Sequence, residues 1–209
     1  MIIGRSKKHP YALGSFNLDE AEKLRFLRTN FLTAVSKAEN EPKIVLCAAD
    51  CKADELARAT LDLACALTAV GKKILVLDID RKNAKVREIA GMTGKTYNDY
   101  LAGRTTAAEL GEKTAVDGLS VITSVPDSVV SMRDDSTTFD LLRKLRDRYD
   151  YVFVVATPVK DGADAFSCDE ASDAVMLFVK KASTRMGFVT KMMNYYGGRE
   201  RRVLGAVLI

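Results

Sequence analysis

Six short stretches of the chain are almost wholly apolar: 43–48 (KIVLCA), 73–80 (KILVLDID), 119–123 (LSVIT), 149–156 (YDYVFVVA), 174–179 (AVMLFV) and 203–209 (VLGAVLI). Runs of this length without polar alternation read as strands covered on both faces. Between them, apolar residues recur at helical spacing over about 54–70, 84–90, 105–112, 137–148 and 185–195. A first helix is expected from a cap at Asn17 or Asp19 to about Lys37. Strand and helix therefore alternate, which predicts an α/β fold with a mostly parallel central sheet and helices on both faces. In such sheets ligands bind beyond the carboxyl ends of the strands. The turns after Ala48, Asp80 and Ala156 then share one rim.

The chain has 209 residues, enough for one such domain, read as 17–209 behind a flexible basic arm over 1–16. Hydrophobic residues make up 47% and charged residues 29%, which is ordinary for a soluble globular protein. No apolar run reaches the roughly 18–20 residues of a bilayer span. The first ten residues, MIIGRSKKHP, lack the apolar core of a secretory signal, so a cytoplasmic location is expected. A net charge of +4 permits contact with acidic surfaces, and no nucleic acid is expected. The four cysteines show no C-x-x-C spacing and His9 is distant from them, so they are read as buried free thiols rather than a zinc site. Cys47 and Cys65 are placed in a strand and on a helix face, and Cys51 and Cys168 in loops.

The turn after the first strand carries the most chemical information. It reads Asp50-Cys51-Lys52-Ala53-Asp54-Glu55-Leu56-Ala57. A phosphate-binding turn at this place uses glycines, so that the backbone comes close, and a lysine. This one has no glycine and three acids.

The order of motifs resembles the bacterial tyrosine kinases of capsule and exopolysaccharide synthesis, a cytoplasmic family related to the MinD/ParA branch of P-loop ATPases. The likeness runs from about Leu18 to Ile209. EKLRFLRTN (22–30) resembles the family's E-x-x-R-x-x-R helix, as Glu22, Arg25 and Arg28. GKKILVLDIDRK (71–82) resembles its Walker A′ strand, with Asp78 and Asp80 present and Lys82 in place of an arginine. YNDYLAGRTTAAEL (97–110) and LRKLRDRYDYV (142–152) follow two further segments. The departures concern the nucleotide site. The G-x-G-K-[ST] of Walker A falls on Ala53, Asp54, Glu55, Leu56 and Ala57, and the Walker B aspartate falls on Val155, followed by Ala156, Thr157 and Pro158. The segment 124–136 (SVPDSVVSMRDDS) replaces a proline-rich one, and no tyrosine cluster follows Ile209.

The resemblance thus implies a P-loop-like fold with a degenerate nucleotide site, and ATP and magnesium are not expected to bind tightly. Asp50, Asp54 and Glu55 put negative charge near a helix N-terminus, where carboxylates are favoured by about 0.3–1 kcal/mol each, and would repel a triphosphate there. Lys52 reads either as a solvated loop lysine or as a surrogate phosphate ligand. Asp78 and Asp80 read either as a partial cation site or as acceptors for the following turn, and Thr157 as a hydroxyl offset from the metal position. Glu22, Arg25 and Arg28 read either as a local ion pair or, through the resemblance, as a contact with a neighbouring subunit. Tyr195, Tyr196, Met192 and Met193 read as packing residues. The basic turn 195–202 (YYGGRERR) reads as a solvated connection capped by Gly197 or Gly198, or as a contact for anionic lipid or an acidic partner. The expectation is a scaffold or regulator peripheral to the inner face of the cell membrane. Its expected partners are a membrane adaptor or chain-length regulator of polysaccharide export, an active kinase paralogue, or a second copy through the Glu22–Arg28 helix. The alternatives are an active or partner-completed tyrosine kinase or ATPase, and a MinD/ParA-like positioning protein on membrane or DNA.

Overall fold

A computed structural model describes residues 13–127, 134–181 and 183–209. Among the described residues seven strands form one sheet: β1 (Ile44–Asp50), β2 (Ile74–Asp78), β3 (Glu112–Lys113), β4 (Leu119–Ile122), β5 (Tyr151–Val155), β6 (Ala174–Val179) and β7 (Arg202–Leu208). The helices are α1 (Leu18–Ser36), α2 (Ala53–Thr68), α3 (Lys85–Ala90), α4 (Tyr97–Leu101), α5 (Asp134–Leu145), α6 (Asp164–Ser167) and α7 (Met186–Gly197). The strand order is β3-β4-β2-β5-β1-β6-β7, parallel throughout except for the β3–β4 pair. This is the expected α/β sandwich of helices around a mostly parallel sheet.

The sheet separates two cores. Alternate residues of β1 show why: Val45, Cys47 and Ala49 face the layer of α1 and α2, whereas Ile44, Leu46 and Ala48 face the layer of α5, α6 and α7. Phe31 of α1 anchors the first layer, meeting Tyr151 edge-on at 5.1 Å and Phe153 at 5.4 Å between ring centroids. Contacts of this kind add about 0.5–1.5 kcal/mol to the area they bury. Asn17 starts α1 as expected. Its side chain accepts from the Glu20 N–H at 2.9 Å while Glu20 accepts from the Asn17 N–H, so two orphan donors of the first turn are satisfied reciprocally.

The observed elements differ from expectation in four places. No helix forms over 105–112. The Glu109 carboxylate instead accepts from the Thr106 N–H and the Thr105 hydroxyl, Gly111 adopts φ 96°, and the chain turns into β3. The local Glu109 side-chain acceptor for Thr105 and Thr106, and the glycine at 111, here outcompete a helix. The short α4 and α6 lack enough apolar turns to be read from spacing; α4 is set by a capping box between Thr96 and Asp99. The stretch 203–209 does not lie between two covered faces, because β7 is the sheet edge, with Gly205 and Ala206 exposed. Cys51 and Cys168 lie in turns as expected, and all four cysteines are the buried free thiols the spacing suggested. Most of the basic arm (1–12) and the middle of 124–136 lie outside the described residues.

Candidate functional site

The rim is built by the carboxyl ends of three adjacent strands, β1, β5 and β2. Cys47 is in register with Val155, and Val155 with Asp78. Beyond β1 only Cys51 and Lys52 separate the last strand residue from the first residue of α2. The five positions aligned with the phosphate loop, Ala53 to Ala57, are therefore helix. The first turn of that helix is internally satisfied. Glu55 accepts from the Lys52 N–H at 3.0 Å, and the Leu56 N–H donates to the Lys52 carbonyl at 3.0 Å. Leu56 and Ala57 point into the core, at 0% and 1% exposure.

The second Glu55 oxygen pairs with the Lys180 ammonium, which extends from the end of β6. Partial burial opposes ionisation of Glu55, but the Lys180 ammonium and the Lys52 N–H outweigh it and hold the carboxyl below its ordinary range. The segment after β6 closes over the same place. The Thr184 hydroxyl donates to the Asp50 carbonyl at 3.1 Å and accepts from the Lys180 N–H at 2.9 Å. Lys52 itself is exposed.

The turn after β2 is equally closed on itself. Asp78 is buried; its carboxylate accepts from the Asp80 N–H at 2.9 Å and the Val86 N–H at 3.3 Å. Asp80, also buried, accepts from the Lys82 N–H at 3.1 Å, the Asn83 N–H at 3.0 Å, the Asn83 side-chain amide and the Thr157 hydroxyl at 2.9 Å. Thr157 also contacts the Asp164 carboxylate. Both acids thus act as acceptors for the following turn. The Lys82 ammonium donates to the Asp161 carbonyl at 2.9 Å. Val155 is 3% exposed and offers only its backbone, accepting from the Ile79 N–H at 2.9 Å.

Burial is the main cause that pushes the Asp78 pKa well above its ordinary value, with the Asp80 and Asp164 carboxylates adding to it against two backbone N–H groups. A carboxyl raised in the fold binds its proton more tightly there than in the unfolded chain. Its contribution to stability is complete below the unfolded value of about 3.9 and is lost as pH rises from there through the folded value. Asp78→Asn removes that titration. Urea unfolding at a series of pH values is expected to show the wild-type protein losing stability relative to Asp78→Asn as pH rises above about 4.

Glu22, Arg25 and Arg28 lie along α1, away from this rim. Arg28 is turned inward, donating to the Ala66 carbonyl at 3.2 Å in the last turn of α2. Glu22 and Arg25 are exposed and have no side-chain partner among the described residues. Arg25 and Arg28 line one wall of a cleft of about 590 Å³, closed on the other side by Leu13, Phe16 and Val116. The structure therefore brings the two arginines together and leaves Glu22 outside the cleft. A second cleft, of about 530 Å³, lies at the opposite end of the strands beside Lys73 and Lys113.

No family model matches the chain. Over most of its length it is similar to CapB of Staphylococcus aureus, at 23% identity over 191 residues, covering 90% of this chain and 83% of CapB. The tyrosine-protein kinase CpsD of Streptococcus agalactiae is 22% identical over 91% of this chain and 85% of CpsD. The kinase domain of the Escherichia coli tyrosine kinase ETK superposes with a TM-score of 0.80 at 20% identity, covering 98% of this chain and 81% of that one. The chain is a bacterial-tyrosine-kinase-like protein with a MinD-like fold. MinD from Pyrococcus horikoshii, solved with Mg-ADP, superposes with a TM-score of 0.67 at 17% identity, covering 79% of this chain and 69% of that one.

Within this tyrosine-kinase-like chain, three residues of the rim escape sequence reasoning: Lys180, Asn83 and Asp164. Lys180 lies 125 positions from Glu55, and nothing in its neighbourhood signals the pairing. Asn83 had a local signal, since an Asp-x-x-Asn step commonly closes a turn through its side chains. Asp164 follows Thr157 by seven residues across a turn and carries no periodic signal. Among the described residues no helix is long and apolar enough to cross a membrane.

Proposed function

We propose that this chain is a catalytically degenerate tyrosine-kinase-like module of capsule or exopolysaccharide biosynthesis or export, a scaffold or regulator that works through protein contacts. The supporting observation is that α2 begins where a phosphate loop would wrap, with Glu55 capping its first turn. Phosphoryl transfer needs backbone N–H groups, a lysine, and a hydroxyl and an acid that hold magnesium. Here the Lys52 and Leu56 N–H groups are engaged, and Asp54 and Glu55 bring negative charge to that turn. Like charges about 4 Å apart repel by about 4 kcal/mol at an effective dielectric near 20. Asp78 and Asp80 spend their oxygens on the chain's own N–H groups, and Val155 has none to offer. These residues do not fit magnesium and ATP.

The exposed Glu22 and Arg25 suit a contact with a second copy or an active kinase paralogue, since a guanidinium forms paired bonds to a carboxylate across an interface. A membrane adaptor of polysaccharide export would then hold the module at the inner face of the cell membrane. Isothermal titration with ATP and magnesium is expected to give no binding heat up to millimolar nucleotide. A micromolar dissociation constant would overturn this reading.

A further inference from the structure

The sheet ends differently on its two sides. One edge strand, β3, has two residues, one of them Lys113, and short charged edges are how natural sheets avoid pairing with another chain. The other, β7, has seven residues, and from Val203 to Ile209 the chain carries no charge and no proline. Its one cation does not guard the edge, because the Arg202 guanidinium turns back to the Ala34 and Lys37 carbonyls at the end of α1. Gly205 and Ala206 are exposed, and a Cβ at Gly205 would meet nothing within 4 Å.

The backbone of this edge has a definite direction. Ile209 donates to the Val179 carbonyl at 2.9 Å and accepts from the Lys181 N–H at 3.0 Å, so both its groups face β6. Alternation along a strand then turns the same groups of Leu208 and Ala206 outward and those of Val207 inward. Among the described residues no strand pairs with β7 on its outer side. The irregular part of the strand lies earlier, between Val203 and Gly205, where the register with β6 shifts and Gly205 takes φ 146°. From Gly205 to Leu208 the register is unbroken. Only this last part of the strand is therefore free to take a partner.

We propose that two copies of this chain pair through this edge, β7 antiparallel to β7, about a two-fold axis at Val207. In that register Ala206 of one copy lies opposite Leu208 of the other, and their outward N–H and C=O groups close four ladder hydrogen bonds. A small side chain meets a large one at both pairs, and no like charges oppose. Val207 faces the α1 layer and lines a groove there with Phe26, Asn30 and Leu204. The axis crosses the sheet beside that groove, so the two grooves adjoin, each bordered by a Phe26 that is 57% exposed. A second copy thus supplies both the strand and an aromatic anchor. Since β3 is too short to pair in turn, the assembly closes at two. The surface is separate from Arg25 and Arg28, which line the cleft on the α2 side of α1.

Sedimentation velocity of the full chain is expected to show a monomer–dimer equilibrium in the micromolar range. Amide hydrogen exchange then locates the contact. Between dilute and concentrated wild-type protein, exchange at Ala206 and Leu208 should slow about tenfold or more, while Ile209, already bonded to Val179, changes little. Two variants test the register. Ala206→Lys with Leu208→Lys, and Ala206→Glu with Leu208→Glu, each place like charges directly opposite and should weaken self-association about tenfold or more. Mixed in equal amounts, the two should form a mixed dimer. Circular dichroism checks that both fold, and the exchange measurement on wild type decides the matter if one does not. A chain that stays monomeric to about 0.5 mM, or a dimer whose Ala206 and Leu208 amides exchange as in the monomer, would overturn the proposal. So would a dimer that both charged variants keep and Glu22→Ala with Arg25→Ala loses, which would assign self-association to the exposed side of α1. None of these outcomes depends on whether nucleotide binds at the rim.

Discussion

Asp80→Ala is expected to lower the unfolding free energy by about 3–5 kcal/mol, the summed cost of depriving several donors of one turn of their common acceptor at about 1–3 kcal/mol each. Asp80 is 2% exposed and accepts from Lys82, Asn83 and Thr157. Alanine leaves the Asn83 N–H and side-chain amide and the Lys82 N–H without this acceptor, while Thr157 keeps Asp164, and each buried donor without a partner costs about 1–3 kcal/mol. Asn83 and Ala84 add to the effect, because Ala84 sits at φ 48° and Asp80 holds the turn that places it there. Asp80→Asn keeps one acceptor oxygen but turns an amide toward other donors, so its cost should fall between wild type and alanine. Equilibrium unfolding in urea, without nucleotide or metal, measures both. The sign of the result separates two roles for this acid. An acid kept to hold a metal repels its neighbours when the metal is missing, so its removal leaves the metal-free protein as stable or more stable. An acid kept to organise a turn gives the large loss expected here.

Phe153→Ala should cost about as much, about 3–5 kcal/mol, for a different reason. Phe153 is 0% exposed in β5, between Val76 of β2 and Val45 of β1, with its ring against Phe31. Truncation removes the transfer energy of the ring and leaves a cavity that central strands, held on both sides, cannot collapse into. For a protein of this size each kcal/mol moves the melting temperature by about 2–4 °C, so scanning calorimetry should record a fall of roughly 6–20 °C. Met193→Ala serves as the contrast. Its side chain is 45% exposed, and the change should stay within about 0.5 kcal/mol. A small loss at Phe153 would mean that the α1 layer is loosely packed on the sheet.

The sequence by itself determined the elements that pack through their own periodicity. Apolar runs located all six long strands, and helical spacing located α1, α2, α3, α5 and α7 to within a few residues. The period of burial is a local property, written wherever an element shows one face to a core. The Asn17 cap was legible for the same reason, since it joins residues three apart. The residue types at the rim were legible too: the absence of glycine, lysine and hydroxyl at 53–57 is a matter of composition at known places along the strand order.

Only the tertiary structure decided which groups meet across elements. Lys180 reaches Glu55 because β6 and β1 are neighbours, and Thr157 reaches Asp80 because β5 and β2 are. Arg28 turns onto the α2 carbonyls because α1 and α2 share one face of the sheet. Periodicity also cannot tell a central strand from an edge one when both are apolar, which is why β7 reads as covered and is in fact open. Met192 and Met193 are adjacent and chemically identical, and only the docking angle of α7 sends one inward and the other to the surface. Spacing along a chain encodes which side of an element is buried; the identity of its partner comes from how the sheet is ordered, and that is a sum over all the elements at once.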